Sequence, residues 1–215
     1  MQIALALYPG FTALVIIGPF QVLSALGGAR CAFVAERLGP VLDDTGAVEL
    51  HAPLGFADCP APELIVAPGG LGTMRLISAP SHRGVAADRF ADCGVDHLGV
   101  HGLSGARRGR AASVSGGDHA LAGHAVPLHA LGAVPVERRV VFGERVVTAA
   151  GVSAGIDMAP ALVERMHGRE ASETVPLAIE YDPQPPRDAG HSTKASPALV
   201  ERVRERLSKA TGLYT

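Results

Sequence analysis

The sequence predicts an α/β protein built on a doubly wound, mostly parallel sheet. Three observations carry that reading. Short continuous apolar runs such as "IALALY" (3–8) and "ELIVAPGG" (63–70) are closed at once by Pro or Gly, as strands buried on both faces are. Amphipathic stretches with helix start and stop residues alternate with them. Hydrophobic residues make up 47% and charged residues 19% of 215 positions, enough apolar material for one large domain with its own core and unlike a disordered chain.

The run 3–8 is the first strand, stopped by Pro9-Gly10. "GPFQVLSALGG" (18–28) predicts a short helix, with Pro19 near its first position and Gly27-Gly28 as its stop. "CAFVAE" (31–36) reads as a second strand, and 39–53 as a hairpin turning at Asp43-Asp44-Thr45-Gly46. A strand at 63–70 and another near 95–100 continue the sheet. Residues 136–151 form two short strands turning at Phe142-Gly143. The stretch 153–168 is an amphipathic helix with Ser153 as N-cap and Gly168 just past its end. "YDPQPPRDAG" (181–190) is a Pro-rich surface loop, and 196–212 a closing helix with Ser196 as cap, Pro197 at its first position and Gly212 as stop. No repeat divides the chain, so residues 1–215 are read as one domain. In such a sheet ligands gather at the carboxyl ends of the strands, where the loops after Tyr8, after Pro68 and after the strand near 95–100 converge.

Composition narrows the function classes. A net charge of −2 gives no pull toward nucleic acid or acidic lipid. Three Cys, at 31, 59 and 93, are too few and too odd in number for a disulfide framework, so the expected location is the cytoplasm, and Cys31 and Cys59 read as inert buried thiols. The apolar start lacks a basic flank and meets Pro-Gly at once, which makes it a strand rather than a signal peptide, and no apolar run is long enough for a membrane span. His101, His119, His124 and His129 could suggest a metal. But 119 and 124 do not share a helical face and no Cys or carboxylate completes a known spacing, so they are read as loop histidines, with no metal site. "ARRGR" (106–110) is a surface run. "GGLG" (69–72) lacks the spacing and acidic follow-up of a dinucleotide loop, and no cofactor is expected. Ser104 has no base placed beside it, and Asp157 supports the dipole of its helix.

Four segments in order, "YPGFTAL…GPFQVL", "LIVAPGG", "VTAAGVSAGIDMA" and "AIEYDPQPPRDAG", resemble the ThiJ/PfpI superfamily of class I glutamine amidotransferase-like domains, on its isonitrile hydratase side. The likeness covers about 2–90 and 128–207. It implies a flavodoxin-like three-layer sandwich, usually a homodimer, with a Cys nucleophile on a strand-to-helix elbow and an acid in the first loop. It also implies hydration of an isocyanide, a small-molecule substrate, to an N-substituted formamide without metal or organic cofactor. A thiolate at a helix N-terminus is favoured by backbone N–H groups and the helix dipole. Glycine amides, here those of Gly69, Gly70 and Gly102, hold a developing negative charge in the substrate pocket.

This sequence departs from that pattern at its reactive positions. The nucleophile falls at Val100, with His101 beside it, and the acid at Val15. Gln21 stands where relatives often carry Glu. Neither valine can attack or give a proton, so the chain as written is expected to be inactive. Residues 99–127 hold three His, seven Gly and a basic run with almost no apolar period. Codons open to Gly99-Val100-His101-Gly102, read one base later, spell Val-Cys-Thr-Gly, and those open to Asp118–Leu121 spell Thr-Thr-His-Trp in the same frame. Both match the family's motifs. Residues from about 90 to 127 are therefore read as an out-of-frame stretch between two compensating indels, and Val15 as one base away from Asp. Two further readings stand beside the hydratase: a catalytically dead pseudoenzyme, and a ligand-sensing domain like that of AraC-type regulators.

Overall fold

The computed structural model describes residues 1–59, 62–70, 72–73, 97–101, 113–115, 134–144 and 146–211, with backbone alone at 97–101, 113–115, 135, 208, 210 and 211. Strands β1 (Gln2–Ala6), β2 (Arg30–Ala35), β5 (Leu54–Gly55), β6 (Leu64–Ala67), β7 (His97–His101), β10 (Val140–Phe142) and β11 (Val146–Ala149) form a seven-stranded sheet of order β10-β11-β7-β6-β1-β2-β5. Every pairing is parallel except β10 with β11. Two small pairs flank it: the antiparallel β3 (Gly39–Leu42) with β4 (Glu49–Ala52), and the parallel β8 (Ser113–Ser115) with β9 (Val134–Val136). Helices α1 (Ala13–Ser24), α2 (Ala154–His167), α3 (Arg169–Ala178) and α4 (Pro197–Thr211) complete the described elements. The mostly parallel α/β sheet is the fold class the sequence predicts.

Strand alternation divides the core. Ile3, Leu5, Leu7, Leu64 and Val66 pack with Ile16, Val22 and Leu23 of α1 and with Met158, Leu162 and Val163 of α2. Ala4, Ala6, Val34 and Ile65 form a second cluster with Leu54, Phe56 and Cys59 on the opposite face. Such period-2 sorting, with large residues toward α1 and α2 and small ones on the other face, fixes the register of β1 and β6, because a slip of one residue would exchange the two sets.

Three boundaries differ from the sequence reading. Helix α1 begins at Ala13 rather than Gly18, and Gly18-Pro19 lies inside it. The glycine serves packing. A Cβ on Gly18 would lie 2.6 Å from Ile156 Cγ1, and one on Gly155 would lie 2.9 Å from Pro19 Cγ and 3.4 Å from Val15 O. The Gly-Pro pair is thus a notch where α1 and α2 cross closely, not a start signal. Ser153 has helical backbone angles and makes no cap; its Oγ accepts from Arg139 Nη2 at 3.2 Å instead. Helix α3 was not anticipated. Gly168, at φ +85°, turns the chain from α2 into α3, and Ser172 Oγ then donates to Pro160 O at 2.9 Å. The hairpin at 39–53 forms as expected, with Asp43 N donating to Val48 O across its turn.

Candidate functional site

The carboxyl edge of the sheet brings four chain segments together: the loop after β1, the loop after β6, the end of β7, and the loop from β11 into α2. The first two are interlocked. Tyr8 is buried, and its hydroxyl donates to Pro68 O at 2.6 Å and shares a 2.7 Å hydrogen bond with Thr73 Oγ1. Thr12 N donates to Gly69 O at 2.9 Å, and Gly72 N to Gly10 O at 2.8 Å. The approach is so close that a Cβ on Gly70 would lie 2.5 Å from Gly10 O, and one on Gly72 would lie 2.2 Å from Pro9 O. Gly70 and Gly72 are therefore required by main-chain contact, a reason the sequence alone did not supply. Burial pushes the Tyr8 hydroxyl above the usual phenol range; its bond to Thr73 opposes this and the Asp44 carboxylate adds to it.

The outer wall of the first loop is tied down by two aspartates. Asp43 is buried and accepts from Thr45 Oγ1 at 2.9 Å and from Ala47 N and Val48 N at 3.2 Å. Desolvation pushes its carboxyl up, but the backbone and Thr45 donors outweigh it and leave the group below its ordinary range. Asp44 accepts from Thr12 Oγ1, and its N–H donates to Phe11 O at 2.8 Å.

Asp157 stands in the first turn of α2, where a carboxylate suits the helix dipole. It also pairs with Arg139 Nε and accepts from Tyr181 OH at 2.8 Å. Tyr181 reaches it because α3 ends with Glu180 in the left-handed region, φ +51°, and Tyr181 N donates back to Pro176 O at 2.9 Å. Burial, then the Asp157 bond, raise the Tyr181 hydroxyl above its ordinary value. The signals were present, "YPG" for Tyr8 and "EYDPQPP" for Tyr181, but nothing in spacing paired them with Thr73 or Asp157.

The positions singled out in the sequence are distributed as follows. Val15 is buried in the first turns of α1, beside its crossing with α2. Val100 is the next-to-last residue of β7, in register with Ala67 of β6 and Thr148 of β11, and His101 is in register with Ala149. Gly69 and Gly70 follow β6 directly, and Gln21 is exposed on α1. Gly102, Ser104, the 106–110 run, His119, His124 and His129 lie outside the described residues. The pairing of β6 with β7 sets the backbone of Val100 beside Ala67, two residues before Gly69. Among the described residues no three His, Cys, Asp or Glu side chains cluster as metal ligands would, and no helix is long and apolar enough to cross a membrane.

No family model matches the chain. It is 33% identical over 220 residues to an isonitrile hydratase from Pseudomonas putida, spanning 100% of this chain and 93% of that protein. Among solved structures, a ThiJ/PfpI family protein from Pseudomonas syringae superposes with a TM-score of 0.79 at 31% identity, over 99% of this chain and 89% of that one. An AraC family transcriptional regulator from Pseudomonas putida superposes with a TM-score of 0.65 at 18% identity, over 83% of this chain and 98% of that one. DJ-1 of Schizosaccharomyces pombe gives 0.65 at 17% identity, over 83% and 98%. The last two share the fold.

Proposed function

The chain belongs to the ThiJ/PfpI family, and on that premise we propose that it is an isonitrile hydratase scaffold whose reactive side chains are missing. In the reaction this scaffold serves, the isocyanide carbon takes a proton from the first-loop carboxyl and the thiolate closes a C–S bond to it. Water then adds to the resulting thioimidate. The thiolate leaves, the carboxylate recovers its proton, and an N-substituted formamide is released. Each step needs a group that can ionise. The observation that carries the proposal is the pair of valines in that frame: Val15, buried on α1, and Val100, at the β7 position between Ala67 and Thr148. The chain as written performs no step, and its pocket remains a place for a small neutral molecule. We place it in the cytoplasm as a homodimer, without metal, organic cofactor or nucleic acid.

The test is restoration. Isocyanide consumption and formamide formation are followed for the chain as it stands, for Val15→Asp, for Val100→Cys and for the double variant. The unaltered chain should show only the buffer rate, and the double variant should exceed either single one by roughly 10²–10⁴-fold, the usual worth of a positioned acid. Turnover by the unaltered chain overturns the proposal; so does a folded double variant with none. Sequencing the codons for 85–130 checks the frame reading, which requires Val-Cys-Thr-Gly one base out of register. The AraC family neighbour favours ligand sensing as a second reading. Calorimetric binding of an isocyanide without turnover, and without gain from the double variant, would select it.

A further inference from the structure

We propose that the cleft between the end of α1 and the first turns of α3 binds a small primary alkylammonium ion. The proposal goes beyond the reading above, since this cleft lies at the other edge of the sheet. α1 leaves the carboxyl end of β1 and returns to the start of β2. Its last turn therefore sits at the amino edge, where Arg30 N donates to Met1 O at 2.8 Å. α2 likewise starts after β11 and ends at His167, which lines the same cleft. Gly168 then turns the chain into α3. The three helix ends enclose a cavity of about 320 Å³, within the range of roughly 300–1,000 Å³ usual for small-molecule clefts. Its α1 side is open: a Cβ on Gly27 would meet no atom within 4 Å.

The lining is divided by polarity. The floor is Leu26, Ala171 and Val175; Val175 belongs to the main core cluster and the other two pack against it. Such a floor takes an alkyl body of a few carbons. The exposed rim is Glu170, Thr174 and His167, and it offers mostly acceptors. Among the described residues the Glu170 carboxylate has no hydrogen-bond or ion-pair partner. Thr174 Oγ1 donates its only proton to Glu170 O at 2.8 Å, so it presents lone pairs alone. No described donor reaches the carbonyls of Ala25 and Gly27, in the turn that ends α1. Charge has the same sense. Two helices end here, each with the equivalent of about half a negative charge. Against them stands the positive end of α3, with Glu170 in its first turn. Arg169, the cation beside Glu170, is taken up by Glu173 at 2.6 Å. A positive head with several N–H donors on a short apolar stem answers both halves of the cleft, whereas a carboxylate head would meet only acceptors.

The test compares three probes with one stem, butylammonium chloride, butan-1-ol and sodium butyrate, at constant ionic strength. The readout is the backbone amide resonances of Leu26, Ala171 and Val175, with those of Ile3, Leu5 and Val66 as markers of the intact sheet. Butylammonium should move the three cleft resonances saturably, with a dissociation constant on the order of millimolar, the scale open to so small a ligand. Butan-1-ol should bind more weakly, and butyrate not at all. Glu170→Gln keeps the size and removes the charge. It should weaken butylammonium at least about 5-fold, the scale of one charge-assisted hydrogen bond, and leave butan-1-ol unchanged. Ala171→Leu fills the floor and should abolish binding of both, with the sheet markers showing that it is folded. Butylammonium should raise the melting midpoint of the parent, because it binds the folded state, and not that of Ala171→Leu. Butylammonium that leaves the cleft amides unmoved, that binds Glu170→Gln as tightly as the parent, or that is matched by butyrate overturns the proposal. None of these measurements needs turnover, so the result is independent of whether Val15→Asp with Val100→Cys restores it.

Discussion

Gly70→Ala tests the contact that shapes the pocket floor. The new Cβ would lie 2.5 Å from Gly10 O, 2.6 Å from Thr12 N and 2.8 Å from Phe11 C. All three are main-chain atoms, so no side chain can turn aside; the two loops must separate. Overpacking of this kind costs about 1–3 kcal/mol, and a backbone angle that favours glycine adds about 1 kcal/mol. A loss of about 3 kcal/mol in a chain of this size lowers Tm by about 6–12 °C. Two controls separate the causes. Gly28 has φ +77° and no atom within 4 Å of its Cβ position, so Gly28→Ala carries backbone strain alone, about 1–2 kcal/mol. Gly27 has open space and no positive φ, so Gly27→Ala should be neutral or slightly stabilising. Thermal melts by circular dichroism, with urea midpoints at 25 °C, rank the three. If Gly70→Ala melts within about 2 °C of the parent, or no lower than Gly28→Ala, the close approach of the two loops is wrong.

Asp43→Ala removes the acceptor for Thr45, Ala47 and Val48 and should lower the urea midpoint, with Asp43→Asn intermediate. Because the folded state holds the Asp43 carboxyl below its ordinary value of 3.8, its stabilisation is present above that pH and fades as pH falls below it. An acid titration of Asp43→Ala should be flatter than that of the parent in that range. At the alkaline end the sign reverses. The hydroxyls of Tyr8 and Tyr181 keep their protons to higher pH when folded, so both contributions are whole below the ordinary phenol value of 10.0 and are lost as pH rises through the folded values. Tyr181→Phe should soften the alkaline loss. Glu180→Gly relieves a positive φ at the end of α3 and should raise stability by up to about 1 kcal/mol, measured by the same melts.

The fold was legible where local chemistry and the global packing agree. β1 and β6 centre on short apolar runs closed by Pro-Gly, as buried strands are. The start of α1 was misplaced because Gly18-Pro19 is both a sound helix-opening signal and a helix-crossing notch. Only the presence of Pro19 and Ile156 across the interface decides between the two. Helix α3 was missed because Gly168 ends one helix and begins another, and "REASETVPLA" carries only Val175 into the core. At the carboxyl edge, the strand ends that converge were readable from the alternation rule. The bonds of Tyr8 to Thr73 and of Asp157 to Arg139 and Tyr181 were not. They join residues far apart in sequence through side-chain directions that no periodicity encodes.

The same contrast sets the interlocked loops apart from positions 15 and 100. The loops after β1 and β6 are joined in part by main chain: Thr12 N on Gly69 O, Gly72 N on Gly10 O, and glycines packed against backbone. None of these contacts involves the side chain of Val15, so a substitution there leaves them in place. At position 15 a valine suits folding better than a carboxyl would. Val15 is 3% exposed on a helix packed against α2, a site where an ionised carboxylate is poorly solvated. Val15→Asp made alone should therefore be destabilised, with the carboxyl held above its ordinary range by burial. The loss should be smallest below about pH 4, where the group is neutral in both states, and should grow as pH rises toward neutrality. Melts from pH 4 to 8 against the parent read it directly. A pH-independent difference would mean that the carboxylate reaches water or a cationic partner, and that position 15 is not the closed site described.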